Sequence, residues 1–245
     1  MPRRPNMVSE LALFQIASIT ALVGMSLGWR GVMTKYSGFY DLPTAWSMIF
    51  WGILIGGFYG LWTDKLLLGP YLGIGQFSLS NLLICLIMAV VVHLMLKRKK
   101  VRSTGSQPTT GWALGLSVGG MVSMYLIYRL FEREELSIIL LATVLLVAII
   151  SPRAHALIFC LHGFNMLKDM RVRAVIRTFV WLVLLISALY TAVLNPLIWV
   201  FIIPVMIFAE RAAQDWVWSA IPKPARRRLR RIWADASRSS ASEEE

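Results

Sequence analysis

The sequence predicts an all-α protein, a polytopic membrane bundle of about seven transmembrane helices. Of the 245 residues, 57% are hydrophobic and only 16% are charged, a composition too apolar for an ordinary soluble domain. The hydrophobic residues form blocks of roughly 15 to 25 that lack the polar face of a surface helix. Most Lys and Arg residues lie between these blocks.

The bundle is predicted to occupy residues 1–210. Its first span follows Arg3 and Arg4, as the apolar region of a signal peptide would, but no small-residue cleavage motif comes after it. We therefore interpret it as a retained span. The seven spans are predicted near residues 8–28, 44–62, 77–96, 112–131, 137–164, 175–194 and 196–210.

The later spans carry distinctive boundaries. The fourth follows a polar segment, residues 103–110 (STGSQPTT), which is predicted to be a flexible loop. Ser151, Pro152 and Arg153 interrupt the fifth, which is either one kinked helix or a span followed by a short helix. Asn195 and Pro196 leave room only for a tight turn, so the sixth and seventh helices are predicted to pack as antiparallel neighbours.

The distribution of basic residues predicts the orientation. If the N-terminus is outside, most of the 25 Lys and Arg residues fall on the inner side, in the regions 30–35, 97–102 and 168–177 and in the C-terminal tail. The positive-inside rule therefore predicts an N-out, C-in topology. We expect an integral protein of a prokaryotic cell membrane with its C-terminus in the cytoplasm.

Residues 211–245 are predicted to form a basic cytoplasmic tail that is partly disordered, above all at its closing SRSSASEEE. Within it, residues 223–233 (KPARRRLRRIW) combine basic and apolar side chains. Each such charge near anionic headgroups contributes about 1 kcal/mol of binding free energy. The expected partners are therefore anionic lipids, together with other membrane proteins. Nucleic acid is not the expected partner, because such runs commonly serve lipid. The predicted membrane-binding residues are Arg226, Arg227, Arg228, Arg230 and Arg231.

Arg153 is an ionisable residue inside a predicted span. A charge in hydrocarbon costs free energy, so an ionisable residue there is by default a candidate functional residue. Arg153 could pair with Glu210, near the inner end of the seventh span, or line a path for a substrate or partner. The sequence leaves the structural and the functional interpretation open.

All three histidines, His93, His155 and His162, lie in predicted spans. His155 and His162 are seven residues apart and share a helix face, while His93 and His162 each precede a basic loop and are predicted to lie at similar depth. A metal or haem between His93 and His162 is geometrically conceivable, but such a site needs more ligands than two imidazoles or a cofactor motif, and no carboxylate lies beside them in the sequence. No cofactor is predicted, and hydrogen bonding between helices is the alternative.

Small residues recur at four-residue spacing in two spans. Such strips let another helix approach closely, which predicts that the second and fourth spans form the tightly packed centre of the bundle. The predicted packing residues are Gly52, Gly56, Gly60, Gly111, Gly115, Gly119 and Ser123.

Several motifs are absent from the sequence. No lysine lies in a predicted span, so a retinal Schiff base has no attachment point. The spans contain no pair of aspartates for an aspartyl protease, and the chain has no Gly-x-Ser-x-Gly and no Walker motif. These absences disfavour the corresponding enzyme classes.

Residues 151–168 (SPRAHALIFCLHGFNMLK) resemble the segment of PrsW-type intramembrane proteases in which a histidine follows a small turn and precedes a Gly-aromatic pair. That family belongs with the CAAX-processing proteases and the seven-span anterior-pharynx-defective subunit of gamma-secretase. This subunit is also similar in its N-out topology and its Gly-xxx-Gly repeat. The resemblance covers residues 111–194 and implies a metal-ligand-like position for His155.

The chain departs from the protease pattern. Glu134 and Glu135 are adjacent but lie in an external loop, and Ser187 stands where the family has a histidine. The resemblance therefore implies a catalytically degenerate member, hence a scaffold.

The leading hypothesis is a non-enzymatic scaffold or partner-binding membrane subunit. The first alternative is an intramembrane metalloprotease that uses His155, His162 and His93. The second is a small transporter or channel in which Arg153 lines a polar path.

Overall fold

A computed structural model describes residues 9–65 and 79–243, which are predominantly helical and contain no strand. Seven of the helices are long and apolar enough to cross a membrane, as predicted: α1–α3 and α5–α8. Short 3₁₀ turns at Thr34–Tyr36 and Pro196–Ile198 precede α2 and α8. The helices are α1 (Glu10–Val32), α2 (Leu42–Thr63), α3 (Leu79–Leu96), α4 (Lys99–Thr104), α5 (Gln107–Arg133), α6 (Ile138–Leu167), α7 (Arg171–Leu194), α8 (Trp199–Ala220) and α9 (Lys223–Glu243).

Helices α5 and α6 form the centre of the bundle. Within an apolar stretch of 18 residues in each of these helices, 72% of the residues are buried, against 28% in α1 and α7 and 11% in the last span. Every residue from Gln107 to Gly120 is buried, so this half of α5 is enclosed by protein on all sides. Helices α1, α2, α3, α7 and α8 surround the pair and leave much of their own surface for lipid.

The glycine strip of α5 packs against α6. A Cβ on Gly115 would lie 2.5 Å from Ala156 Cα, and one on Gly119 would lie 2.5 Å from the Ser151 carbonyl oxygen. A Cβ on Gly111 would likewise clash with the Phe159 carbonyl oxygen. The two backbones therefore touch along three successive turns, an approach that only residues without side chains allow.

The glycines of α2 pack against a different side of α5. A Cβ on Gly56 would lie 2.7 Å from Val118 Cα, and one on Gly60 would lie 2.6 Å from the Tyr125 ring, while Gly52 abuts Ser117. Span four is therefore central, as predicted, but its own glycines contact span five, and span two, predicted to share the centre, packs on the outside of span four. The spacing of small residues shows that a helix packs closely and does not say on which neighbour.

Several predicted boundaries differ from the structure. Residues 103–110, predicted to be a flexible loop, end α4 and begin α5, and Ser106, Gln107 and Thr110 are buried. Their polarity is accommodated locally, since the Thr109 and Thr110 hydroxyls donate to Ser106. Pro108 favours a helix start at this point.

The C-terminal third is more helical than predicted. Helix α8 continues ten residues past Glu210, to Ala220, because the charged residues that end the apolar block are compatible with helix beyond the membrane. The tail forms α9, which extends to Glu243 across residues predicted to be disordered.

The predicted antiparallel packing of the sixth and seventh spans is wrong. Helices α7 and α8 are joined by the turn Pro196–Ile198 but diverge from it: α7 packs on α3 and α6, and α8 on α6 and α5. Lipid solvates apolar side chains as well as protein does, so no hydrophobic force closes the gap between two such helices.

An ion pair ties α2 to α5 at the bundle end opposite to α9. Arg129 donates from Nε and Nη2 to the two carboxylate oxygens of Asp64, at 2.8 and 2.7 Å, and from Nη1 to Glu132 at 2.6 Å. Asp64 is buried, so this bidentate pair compensates the burial of its charge.

Candidate functional site

The fifth span is one continuous helix. Helix α6 has 30 residues and passes through Pro152, so it is about 45 Å long and must tilt or project beyond the hydrocarbon. Pro152 has no N–H for the Ala148 carbonyl one turn earlier. Gly24 of α1 packs directly on that carbonyl oxygen, an approach that is possible only because Gly24 has no side chain.

Arg153 is held by two other helices. Its Nη1 donates to Glu210 of α8 at 3.1 Å, and its Nη2 donates to the Leu27 carbonyl of α1 at 3.1 Å. Arg153 and Glu210 both lie near the middle of their helices, and their side chains are 26% and 28% exposed. The structure thus forms the Arg153–Glu210 pair, one of the interpretations that the sequence left open, and its contacts link α1, α6 and α8.

His155 is completely buried in a different environment. Its Nδ1 donates to the Ser151 carbonyl at 2.8 Å, one turn earlier in α6. Its ring meets Tyr59 and Phe159 edge to face, at centroid distances of 6.1 and 6.3 Å. This tautomer leaves Nε2 as an acceptor, for which the described part of the chain provides no donor.

His93 and His162 form a hydrogen-bonded chain with Thr178. His93 Nδ1 lies 3.2 Å from His162 Nε2, and His162 Nδ1 lies 2.7 Å from Thr178 Oγ1. A neutral imidazole donates from one nitrogen and accepts at the other. Both hydrogen bonds can therefore form at once, with each group donating to the next in the same direction. The chain joins α3, α6 and α7, the interhelical hydrogen bonding considered from the sequence.

The three histidines do not assemble into one centre. His155 is surrounded by Ser151, Tyr59 and Phe159, whereas His162 faces His93 and Thr178. Across residues 9–65 and 79–243, no three His, Cys, Asp or Glu side chains form a group that could hold a metal ion. Thr178 was missed in the sequence, although a threonine in the inner turns of an apolar helix is a signal for such a bond.

The divergence of α7 and α8 leaves an apolar groove. Its volume is about 390 Å³, and no charged residue lines it. Small residues from three helices, Ala154, Ala188 and Ala209, lie among larger side chains, several of which are exposed on the surface of the bundle. The remaining lining residues are Leu157, Ile158, Leu161, Trp181, Leu184, Leu185, Ile198, Phe201, Ile202, Val205, Met206 and Trp216.

Helix α9 places the five predicted membrane-binding arginines at one end of the bundle. Leu229 is buried, and Trp233 stacks on Trp218 at a centroid distance of 5.8 Å. Arg227, Arg228 and Arg231 line an open cleft on another side of α9. Leu229 and Trp233 of the predicted membrane-surface segment thus contact protein, and basic side chains remain exposed.

Tyr36 packs beneath α9. Its ring lies 6.5 Å from that of Trp233 and 6.0 Å from that of Trp218. Burial, and then the nearby Asp215 carboxylate, raise the pKa of its hydroxyl, so Tyr36 stays neutral at physiological pH and acts as a packing residue.

Comparisons of the chain with protein-family models, with characterised proteins and with solved structures give no significant match.

Proposed function

We propose that this chain is a non-enzymatic, partner-binding subunit of the membrane, and that it binds a transmembrane helix of another protein in the groove between α6, α7 and α8. The observation that carries the proposal is the divergence of α7 and α8 from a turn of three residues. Consecutive helices joined so tightly ordinarily pack on each other, so the gap is a specific feature of this bundle.

The lining of the groove favours a helix as its occupant. Association in lipid depends on close packing, which alanines permit because they let a second backbone approach. Ala154, Ala188 and Ala209 supply such a surface from three directions. The last span also has the least burial of the seven, so a partner would complete its packing. An uncharged lining matches an apolar segment.

Crosslinking tests the groove. A photoreactive amino acid at Ile202 should form a discrete product in native membranes, and the crosslinked peptide, identified by mass spectrometry, should map to a membrane-spanning segment of another protein. The same probe at Ile176, which is exposed on another side of α7, is the matched control. Replacing Ala188 with Trp fills the groove and should abolish the Ile202 product.

Other occupants would give other products. Adducts of lipid alone at Ile202 would contradict the proposal, and so would a product of twice the chain's mass, which indicates a second copy. A product that persists in the Ala188→Trp variant would show that the partner binds elsewhere.

We also propose that the membrane orientation is N-out and C-in, on the basis of the charge distribution. The structure collects the regions 30–41, 97–106 and 168–171 and helix α9 at one end of the bundle, called here the basic end. Lys35 connects the first of these regions to α8, because its Nζ donates to Gln214 at 2.8 Å. The opposite end carries the α5–α6 connection.

Cysteine labelling tests this orientation. Ser103→Cys lies at the basic end and Glu134→Cys at the opposite end, and both positions are exposed. The native thiols, Cys85 and Cys160, are buried and should contribute little background. A membrane-impermeant maleimide should label position 134 in intact cells and position 103 only after permeabilisation. The reverse pattern would show that the basic end is outside.

A further inference from the structure

A small polar pocket lies at the basic end, separate from the groove. Its volume is about 180 Å³. Its walls come from four parts of the chain: the residue after α3, helix α4, the first residue of α5, and the segment from the last residues of α6 to the first residue of α7. The lining residues are Lys97, Arg102, Gln107, Met166, Leu167, Asp169 and Arg171.

The charges around the pocket are predominantly positive. Lys97, Arg102 and Arg171 supply three cations, and Asp169 is the one acid in the lining. Asp169 lies 3.4 Å from Arg171, so it offsets one of the three cations. Lys97 and Arg102 form no ion pair with another residue of the described ranges 9–65 and 79–243. The pocket therefore retains an excess of positive charge.

Gln107 is a buried polar group without a partner. The residue is only 6% exposed, it lines the pocket, and its side-chain oxygen has no hydrogen-bond partner among the residues that the structure describes. The oxygen and the NH₂ group of an amide have nearly the same shape, so a half-turn of the amide exchanges their positions. The side chain can thus donate to a ligand that the three cations attract.

The start of α5 reinforces this polarity. Helix α5 has 27 residues, begins at Gln107 and has no side-chain cap on its first turn. The first backbone N–H groups of a helix lack intrahelical acceptors, and the helix dipole is positive at this end. Three cations and the buried amide of the first residue of a helix therefore line one small space, a combination that favours an oxyanion.

We infer that this pocket binds a phosphate group. Two side chains at its rim suit phosphate in complementary ways, because the Arg102 guanidinium can bind two oxygens at once and the Lys97 ammonium acts as a point charge. The limited volume admits a phosphate and its nearest atoms. The source is either the headgroup of an anionic phospholipid or phosphate in solution, since the pocket lies where the spans end. The inference is independent of the groove.

Two charge-matched double variants of the full-length protein separate the pocket from general surface charge. Lys97→Gln with Arg102→Gln removes two cations from the lining. Arg98→Gln with Lys100→Gln removes two cations from the same segment that do not line this pocket. Gln107→Leu removes the buried amide and leaves the net charge unchanged. The thermal unfolding midpoint of each variant, measured without ligand, establishes that it is folded.

Two probes distinguish the sources of phosphate. Inorganic phosphate binding is measured by calorimetry in detergent at constant ionic strength, and lipid binding by native mass spectrometry after reconstitution in phosphatidylglycerol or phosphatidylcholine nanodiscs. Saturable phosphate binding that weakens at least tenfold in the pocket variants, and stays within twofold in the Arg98/Lys100 control, assigns the site to free phosphate. Retention of phosphatidylglycerol alone, lost in the pocket variants and kept in the control, assigns it to a lipid headgroup.

The inference is overturned if neither probe binds the wild-type protein, or if the pocket and control variants lose binding equally, which indicates surface charge only. Unchanged binding in Gln107→Leu would remove the buried amide from the site and overturn the inference in this form.

Discussion

Gly115→Ala is expected to destabilise the protein by about 1–3 kcal/mol, the usual cost of overpacking a core. The added Cβ would lie 2.5 Å from Ala156 Cα and from the His155 carbonyl oxygen and 2.6 Å from Ala156 N. All three are backbone atoms, so no side-chain rotation relieves the contact. The helices α5 and α6 must separate, and their contact forms the centre of the bundle.

The measurement uses the two native cysteines. Cys85 and Cys160 are buried, so a thiol-reactive fluorescent dye reports their exposure as the protein unfolds in detergent. The Gly115→Ala midpoint should fall by several degrees. Gly57→Ala is the matched control, because its Cβ would meet only Met121 Cε, at an ordinary 3.8 Å. Alanine also has a higher helix propensity than glycine, so this control is not expected to lose stability. Equal midpoints for the two variants would refute the close α5–α6 contact.

Replacing one partner of the Arg153–Glu210 pair is expected to cost roughly 3 kcal/mol, the lower end of the range for buried pairs, because both side chains retain about a quarter of their exposure. Arg153→Met leaves the Glu210 carboxylate without its cation in the middle of α8. Glu210→Gln leaves the guanidinium with a carbonyl and a neutral amide. In either variant, the remaining charge lies within a membrane-spanning helix and has lost its ionic partner.

The double variant Arg153→Met with Glu210→Gln should recover much of the lost stability, because it removes both charges together. Thermal unfolding of the four proteins gives the coupling energy between the two sites. Arg211→Met, at an exposed position on α8, is the control for the chemical change alone and should shift stability by no more than about 0.5 kcal/mol. Additive effects of the two single substitutions would mean that the pair is not formed in the membrane.

The site was predictable only in parts. Arg153 and Glu210 could be paired from the sequence, because each is a rare ionisable residue in or near an apolar span and the two have opposite charges. His93 and His162 could be placed at one depth, because each precedes a basic loop. Thr178 could have been found as a threonine within an apolar span. Gln107 could not, since it lies in a polar segment that was predicted to be a loop.

The sequence by itself determined the number of spans, the locations of most helices and the side on which the basic residues gather. These properties follow from the length and apolarity of single segments, which the bilayer selects one at a time.

Only the tertiary structure decided which helices touch. The Gly111–Gly119 strip contacts α6, α2 packs on another side of α5, and α7 and α8 diverge from a turn that predicted their contact. In lipid, apolar side chains gain little by leaving their surroundings, so partners are chosen by the fit of surfaces and by a few polar bonds. Such a fit depends on two helices together, and no single segment of the sequence encodes it.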